Sequence, residues 1–208
     1  MKINKMIKKN KKLSKREKNK KNNRSIIIKA GIDIFLKKGI SQTTVRDIIR
    51  NTDLASGTFY NYFKSKEEVL IAALDESAIE IGQQLRSQRK NAKNLEEFIY
   101  SQINPFFVFA RDHSELFMIM SSNLNDVKAF SVETPMMTLE LESLKEDIII
   151  GINNGILPDV DPDYFCSVIQ SVAEGIAFTF VKGRMSNEDI NVAVKFCTNF
   201  IVNGIRAV

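Results

Sequence analysis

Two runs decide how this chain is read: Thr43-Thr44-Val45-Arg46-Asp47-Ile48-Ile49, and Ser56-Gly57-Thr58-Phe59-Tyr60-Asn61-Tyr62-Phe63-Lys64-Ser65-Lys66. Each is a short amphipathic helix by spacing, and between them Thr52-Asp53-Leu54 is a tight turn. In the first run Thr43 is read as the cap, and Val45, Ile48 and Ile49 share one face. In the second, at about 100° per residue, Ala55, Phe59 and Phe63 form a buried stripe. Gly57 and Asn61 then point away from that stripe, flanked by Thr58 and Tyr60. Helices this short cannot bury enough surface alone. Braced by neighbours they make a helix-turn-helix, whose second helix carries the hydroxyls, amide and close-approach glycine that bond phosphates and base edges.

The flanks supply the braces. Ile27, Ala30, Ile34 and Phe35 recur at helical spacing up to Gly39, which stops that helix. Ser65 to Glu68 reads as a capping box opening a long helix through Val69, Leu70, Ala73 and Ile79. Lys66 sits in its first turn, where a cation opposes the helix dipole; a phosphate held by both the ammonium and the helix N-terminus resolves that conflict.

The pattern Thr-Thr-Val-x-Asp-Ile, followed by Gly-Thr-Phe-Tyr-x-Tyr-Phe-x-Ser-Lys-Glu-Glu, closely resembles the DNA-binding domain of the TetR family of bacterial transcriptional regulators over residues 24–75. It departs at the turn, where Thr52-Asp53-Leu54-Ala55 stands for the family's usual Ala-Gly-Val-Ser. The resemblance implies an all-α chain: a small three-helix DNA-binding domain at 24–70 (motif about 44–63), then a larger helical domain at 71–208 for effector binding and dimerisation. Residue by residue it implies that Thr44, Tyr60, Tyr62 and Lys66 hold phosphates. Arg46, Ser56, Gly57, Thr58 and Asn61 are the candidates for base or backbone readout, with Arg46 suited to a guanine edge.

Composition agrees with a soluble regulator. Of a net charge of +5, residues 1–23 hold ten lysines and Arg16 against Glu17 alone, so this segment carries +10 and the other residues −5. This Lys/Asn-rich segment is expected to be disordered when free, either a solvated tail or a basic arm that tracks DNA. No run is long enough to cross a membrane, and no secretory leader follows the basic start, so a cytoplasmic location is expected. Cys166 and Cys197 lie far apart within apolar patterns and read as buried free thiols.

Beyond residue 90 the apolar spacing is helical throughout. A helix follows Asn94, with Pro105 expected to kink or break it. A shorter one covers about 116–120, and then comes a loop to about 132. Further helices run from about 135 to 153, behind Asp161-Pro162, and behind Ser186. The resemblance implies that this region encloses a pocket for a small apolar or amphipathic effector, and Phe106, Phe107, Phe109, Phe117, Met118, Met120, Met136 and Met137 are its candidate walls. The last two helices are apolar on more than one side, which suggests a partner; the resemblance implies a homodimer, with Phe165, Ile169, Val172, Ile176, Phe180, Phe200 and Ile201 as its candidate interface.

Catalytic signatures are absent. There is no phosphate loop and no nucleophile elbow, and His113, the single histidine, stands at an apparent helix start. No cofactor, no metal and no enzymatic activity are expected. The function expected is a DNA-binding repressor of a palindromic operator, released by a small molecule. The alternative is a protein of the same fold controlled by a protein partner, or acting structurally without a ligand. Repression and activation are not distinguished by the chain.

Overall fold

The computed structural model describes residues 14–122, 134–183 and 186–207, with only the backbone of Ser121 and Ser122. All regular structure among them is helical. The order is α1 (Lys15–Lys38), α2 (Val45–Arg50), a 3-10 helix (Ser56–Asn61), α3 (Lys66–Arg89), α4 (Leu95–Asp112), α5 (Ser114–Ser122), α6 (Pro135–Asn153), α7 (Pro162–Phe180) and α8 (Asn187–Arg206).

Local chemistry sets the boundaries. Seven of the α-helices open on a side chain that accepts a first-turn N–H: Ser14, Thr44, Ser65, Asn94, Thr134, Asp161 and Ser186. Two are reinforced by proline at the first helical position, Pro135 and Pro162. Gly39 (φ 78°) ends α1 and Gly155 (φ 68°) follows α6, both in the region that favours glycine.

The structure corrects the sequence reading in three places here. Residues 15–23 are helical, because Ser14 and Glu17 form a reciprocal capping box that starts α1 nine residues earlier than the composition suggests. Residues 1–13 and the loop expected before about 132 lie outside the described residues, apart from its first turn. Pro105 does not break α4, which continues through it to Asp112 with Pro105 buried. Thr43 is not the cap of α2: it is buried and donates to the Gly39 carbonyl at 2.7 Å, and Thr44 caps instead.

Two hydrophobic cores result. The N-terminal one gathers Ile27 and Phe35 of α1, Ile48 and Ile49 of α2, Phe59, Phe63, and Val69 and Leu70 of α3. Gly31 permits the close α1–α3 crossing, since a Cβ there would lie 2.6 Å from Val69 Cγ1. Leu116 and Ile119 of α5 also belong to this core. The larger core packs α4, α6, α7 and α8 around Ile103, Phe107, Ile148, Ile169 and Phe180. No break falls at residues 70–71: α3 runs from the N-terminal core, through Val69 to Leu74, on to contacts with α4 and α6.

Candidate DNA interface and effector cavity

The second helix of the motif is wound as a 3-10 helix. Its bonds run Thr58 N–H to the Ala55 carbonyl (2.8 Å) and Tyr62 N–H to the Phe59 carbonyl (2.9 Å). With three residues per turn, Phe59 and Tyr62 fall on the inner face. Phe59 is fully buried, Tyr62 is half-buried against the core, and Ala55 is exposed rather than part of the stripe. Ala55 precedes the helix with no side-chain cap. The turn is held by Thr52, whose hydroxyl donates to the Ile49 carbonyl (2.8 Å) and accepts from Leu54 N–H (3.2 Å). That role was readable as a Thr two residues before Leu54.

The outward face keeps the inventory read from sequence. Ser56, Gly57 and Asn61 are exposed, Tyr60 is 66% exposed, and Thr58 is half-buried. A Cβ at Gly57 would meet nothing within 4 Å, so nothing inside the chain requires glycine there. Arg46 is exposed on α2.

Two assigned phosphate ligands are otherwise engaged. The Lys66 ammonium donates to the carbonyls of Ile40 (2.7 Å), Ser41 (3.0 Å) and Thr43 (2.8 Å). An ammonium has three protons, so all are used in clamping the α1–α2 loop to the start of α3. The Thr44 hydroxyl donates to Asp47 Oδ2 (2.8 Å) and accepts from Asp47 N–H (3.2 Å). Lys38 (2.8 Å from Asp47 Oδ1) and Thr44 hold the Asp47 carboxyl well below the usual carboxylate range. Lys64, two residues before Lys66, is exposed, and it falls at a position the family motif leaves open. α1 also carries Lys15, Arg16, Lys18, Lys20 and Lys21 along an exposed turnwise extension. Arg24 closes that extension onto the domain, pairing with Glu76 and lying 5.3 Å over the Phe63 ring.

Between α3, α4, α5, α6 and α7 lies a cavity of about 160 Å³. Phe106, Phe109, Phe117, Met120 and Met137 are among the residues that line it. Phe117 is its aromatic hinge, edge-on to Phe106 (5.6 Å), Phe109 (6.3 Å) and Phe178 (6.1 Å). Phe107, Met118 and Met136 are not among the lining residues. Phe107 is fully buried against Phe180 (5.5 Å) in the core, Met118 packs against the same core, and the backbone of Met136 bonds Asp75.

The cavity wall also carries polar groups that the apolar periodicity hid: Arg89, Gln102, Glu140, Gln170 and Glu174. Arg89 is 3% exposed and bonds Asp147 (2.8 Å), Gln102 (2.7 Å) and Ser143 (3.4 Å). Glu140 pairs with Arg86, and Glu174 accepts from Gln170 at 3.0 Å. Burial pushes the Glu174 carboxyl above its ordinary range. His113 caps the end of α4, stacks on Phe109 at 4.2 Å and lies 3.5 Å from Glu80. Cys166 and Cys197 are buried free thiols, and burial pushes Cys197 up to about 11.

The unpartnered apolar surface is not the one assigned from sequence. Phe165, Ile169, Phe180 and Ile201 lie in the chain's own core, and Val172 and Ile176 are half-buried against it. The outward face instead carries Tyr164 and Val168 of α7 with Val192, Phe196 and Phe200 of α8. Phe196 and Phe200 stack at 6.1 Å, and both are more than half exposed. Of the residues assigned from sequence, Phe200 lies on this outward face.

No group of His, Cys, Asp and Glu able to hold a metal occurs among the described residues, and no helix there is long and apolar enough to cross a membrane. A short capped helix, a pinned turn and a second helix with a polar outer face, braced by α1 and α3, define a helix-turn-helix DNA-binding domain attached to a helical domain with its own cavity. Residues 27–73 match the model of bacterial regulatory proteins of the tetR family. The chain is 25% identical over 186 residues to an HTH-type transcriptional regulator of Bacillus subtilis, YerO, covering 85% of this chain and 61% of that protein. In fold it is similar to the fatty acid degradation regulator FadR from Bacillus halodurans, with a TM-score of 0.74 at 22% identity, covering 92% of this chain and 96% of that one. It is also similar to FadR from Bacillus subtilis, solved in complex with stearoyl-CoA, with a TM-score of 0.74 at 21% identity, covering 87% of this chain and 98% of that one. Residues 27–73 are thus a DNA-binding segment of the tetR family of bacterial regulatory proteins, in a chain similar over most of its length to an HTH-type transcriptional regulator.

Proposed function

We propose that this regulator is a cytoplasmic homodimeric repressor of a palindromic operator, released when a small apolar or amphipathic effector enters the α3–α7 cavity. The observation that carries the reading is the position of α5. Its Leu116 lines the cavity and, with Ile119, also belongs to the core that supports the DNA-binding helices. At about 160 Å³ the cavity is smaller than the ~300–1,000 Å³ common for ligand sites. A sizeable effector must therefore widen it, and widening moves α5 and the α1 helix it packs against. A ligand that favours the widened state shifts the population away from the DNA-fitting geometry. The cavity favours this over a partner-controlled or purely structural protein, which needs only a solid core. FadR, solved with stearoyl-CoA, makes a long-chain acyl compound one candidate effector.

The occupant proposed for the Phe196–Phe200 face is a second copy, which would set two motifs about one DNA turn apart. On each, Arg46, Ser56, Gly57, Thr58 and Asn61 form the readout face, with the Tyr60 and Tyr62 hydroxyls on phosphates. Lys64 takes the cationic role first given to Lys66. The basic part of α1, residues 15–24, extends about 15 Å as helix and adds phosphate contacts.

The test is operator selection from a randomised DNA library with the full chain, followed by quantitative gel shifts. An inverted repeat is expected. Arg46→Ala should weaken binding by about 1–3 kcal/mol and relax preference at one base pair per half-site. Selection of no sequence, or unchanged specificity in Arg46→Ala, refutes the reading.

A further inference from the structure

We infer that the effector is a lipophilic cation: an apolar body carrying a protonated amine that seats against Glu174 and Glu140. The inference rests on reading the cavity as the effector site and names the chemistry that site accepts.

The body follows from the walls. Ile81, Phe106, Phe109, Phe117, Ile169 and Phe178 surround the space with hydrocarbon and ring faces. The headgroup follows from the polar atoms among them. Arg89 is the cation in the lining, and it is already committed. Asp147 neutralises it, and Gln102 and Ser143 take its other bonds. Three of its five N–H donors are used and its charge is balanced by Asp147, so an anionic ligand placed on the remaining two would bring a negative charge that no cation of the lining is left to neutralise.

The two carboxylates stand differently. Glu140 gives one oxygen to Arg86, while its Oε2 is buried with no hydrogen-bond partner. That carboxylate is seated in a notch of α3, since a Cβ at Gly82 would overlap it. Glu174 receives one amide N–H, from Gln170, and no Lys, Arg or His among the described residues is within ion-pair distance. The lining and its pair partners thus comprise Arg86 and Arg89 against Glu140, Asp147 and Glu174. One negative charge and one buried acceptor are left over. A protonated amine supplies one positive charge and several N–H donors, and so satisfies both. A fatty carboxylate would add a second uncompensated negative charge, and a neutral chain would leave both deficits as they are.

The test is isothermal titration calorimetry of the full chain at pH 7 with four probes below their micelle-forming concentrations: dodecylamine, dodecanoate, dodecanol and stearoyl-CoA. The expected result is dodecylamine binding at one site per chain, at least tenfold tighter than the other three. Glu174→Gln, which keeps the side-chain shape, should bring dodecylamine to within about threefold of dodecanol and leave dodecanol unchanged. Glu140→Gln is the second variant and should lower dodecylamine affinity in the same sense. If dodecanoate or stearoyl-CoA binds as tightly as the amine, or both variants keep the amine preference, the cation assignment is overturned while the effector site stands. If none of the four probes binds, the effector reading fails and takes this inference with it.

Discussion

Replacing Lys66 by methionine separates two accounts of one residue. Methionine keeps the unbranched stem and removes the ammonium that bridges the carbonyls of Ile40, Ser41 and Thr43. A hydrogen bond to a charged donor contributes roughly 1.5–3 kcal/mol. Three from one half-buried amine do not sum in full, because Ser41 is exposed and water can replace part of what is lost. Removing a cation from the first turn of α3 also returns about 0.3–1 kcal/mol. The net loss should be about 2 kcal/mol, which for a chain of this size lowers Tm by about 4–8 °C. Urea unfolding followed by circular dichroism measures it. Lys66→Arg should not restore stability, since a planar fork cannot aim three protons at carbonyls converging on one nitrogen. In fluorescence anisotropy with operator DNA, the slope of log K against log salt should stay that of the parent. A slope smaller by about 1, with stability unchanged, would identify Lys66 as a phosphate ligand and refute the clamp.

Gly57→Ala should alter stability by no more than a few tenths of a kcal/mol, because its Cβ would meet nothing within 4 Å. It should nonetheless weaken operator binding by tenfold or more in gel shifts if that face meets DNA. Phe200→Asp should yield a folded monomer by sedimentation velocity, whereas Ile201→Asp, one residue on and 2% exposed, should fail to fold. Glu174→Gln should raise Tm at pH 7–8 and lose that advantage near pH 4. The folded carboxyl titrates above its unfolded value, so its ionisation destabilises the fold as pH rises through the folded pKa. A Tm difference independent of pH would contradict this. Ile119→Val, which thins the α5 anchor without touching the cavity wall, should reduce the effector's effect on DNA affinity about fivefold, for a loss of about 1 kcal/mol; unchanged coupling in paired titrations refutes the role given to α5.

The helices were legible wherever the chain states its boundaries locally. Thr134-Pro135, Asp161-Pro162 and Ser186 each place a cap beside the first turn, and α6, α7 and α8 begin there. Ser14 and Glu17 make the same statement at α1, against a surrounding Lys and Asn composition that points to disorder. Other departures concern partners distant in sequence. The carbonyls that hold Lys66 lie 23–26 residues away. Periodicity shows that α7 has two apolar faces, but not that the Phe165–Ile169 face meets α6 and α8 of the same chain. The 3-10 winding at Ser56 was missed because both helix types share phase over a few residues and separate only at Ala55 and Tyr62. The Arg89–Asp147 pair joins two helices whose sequence pattern is dominated by their apolar stripes.

The coupling between cavity and DNA domain can be weighed from the residues that carry it. To move a two-state equilibrium from 1:99 to 99:1, a ligand must prefer one state by about 5.5 kcal/mol. Burying a leucine or isoleucine side chain contributes roughly 1.5–3 kcal/mol, so Leu116 and Ile119 together tie α5 to the N-terminal core by about 3–6 kcal/mol. The tie is of the same order as the switch. Were it much weaker, α5 could slide and the cavity would widen without disturbing α1 or α3. Were it much stronger, no ligand of ordinary affinity could distort it. α3 carries the remainder, because its two ends are fastened to different bodies. Lys66 fixes its start to the loop that positions α2, and Arg86 and Arg89 fix its end to Glu140 and Asp147 on α6. A ligand charge placed beside Glu140 and Glu174 therefore acts next to the fastening at one end of α3, while the reading helix depends on the other.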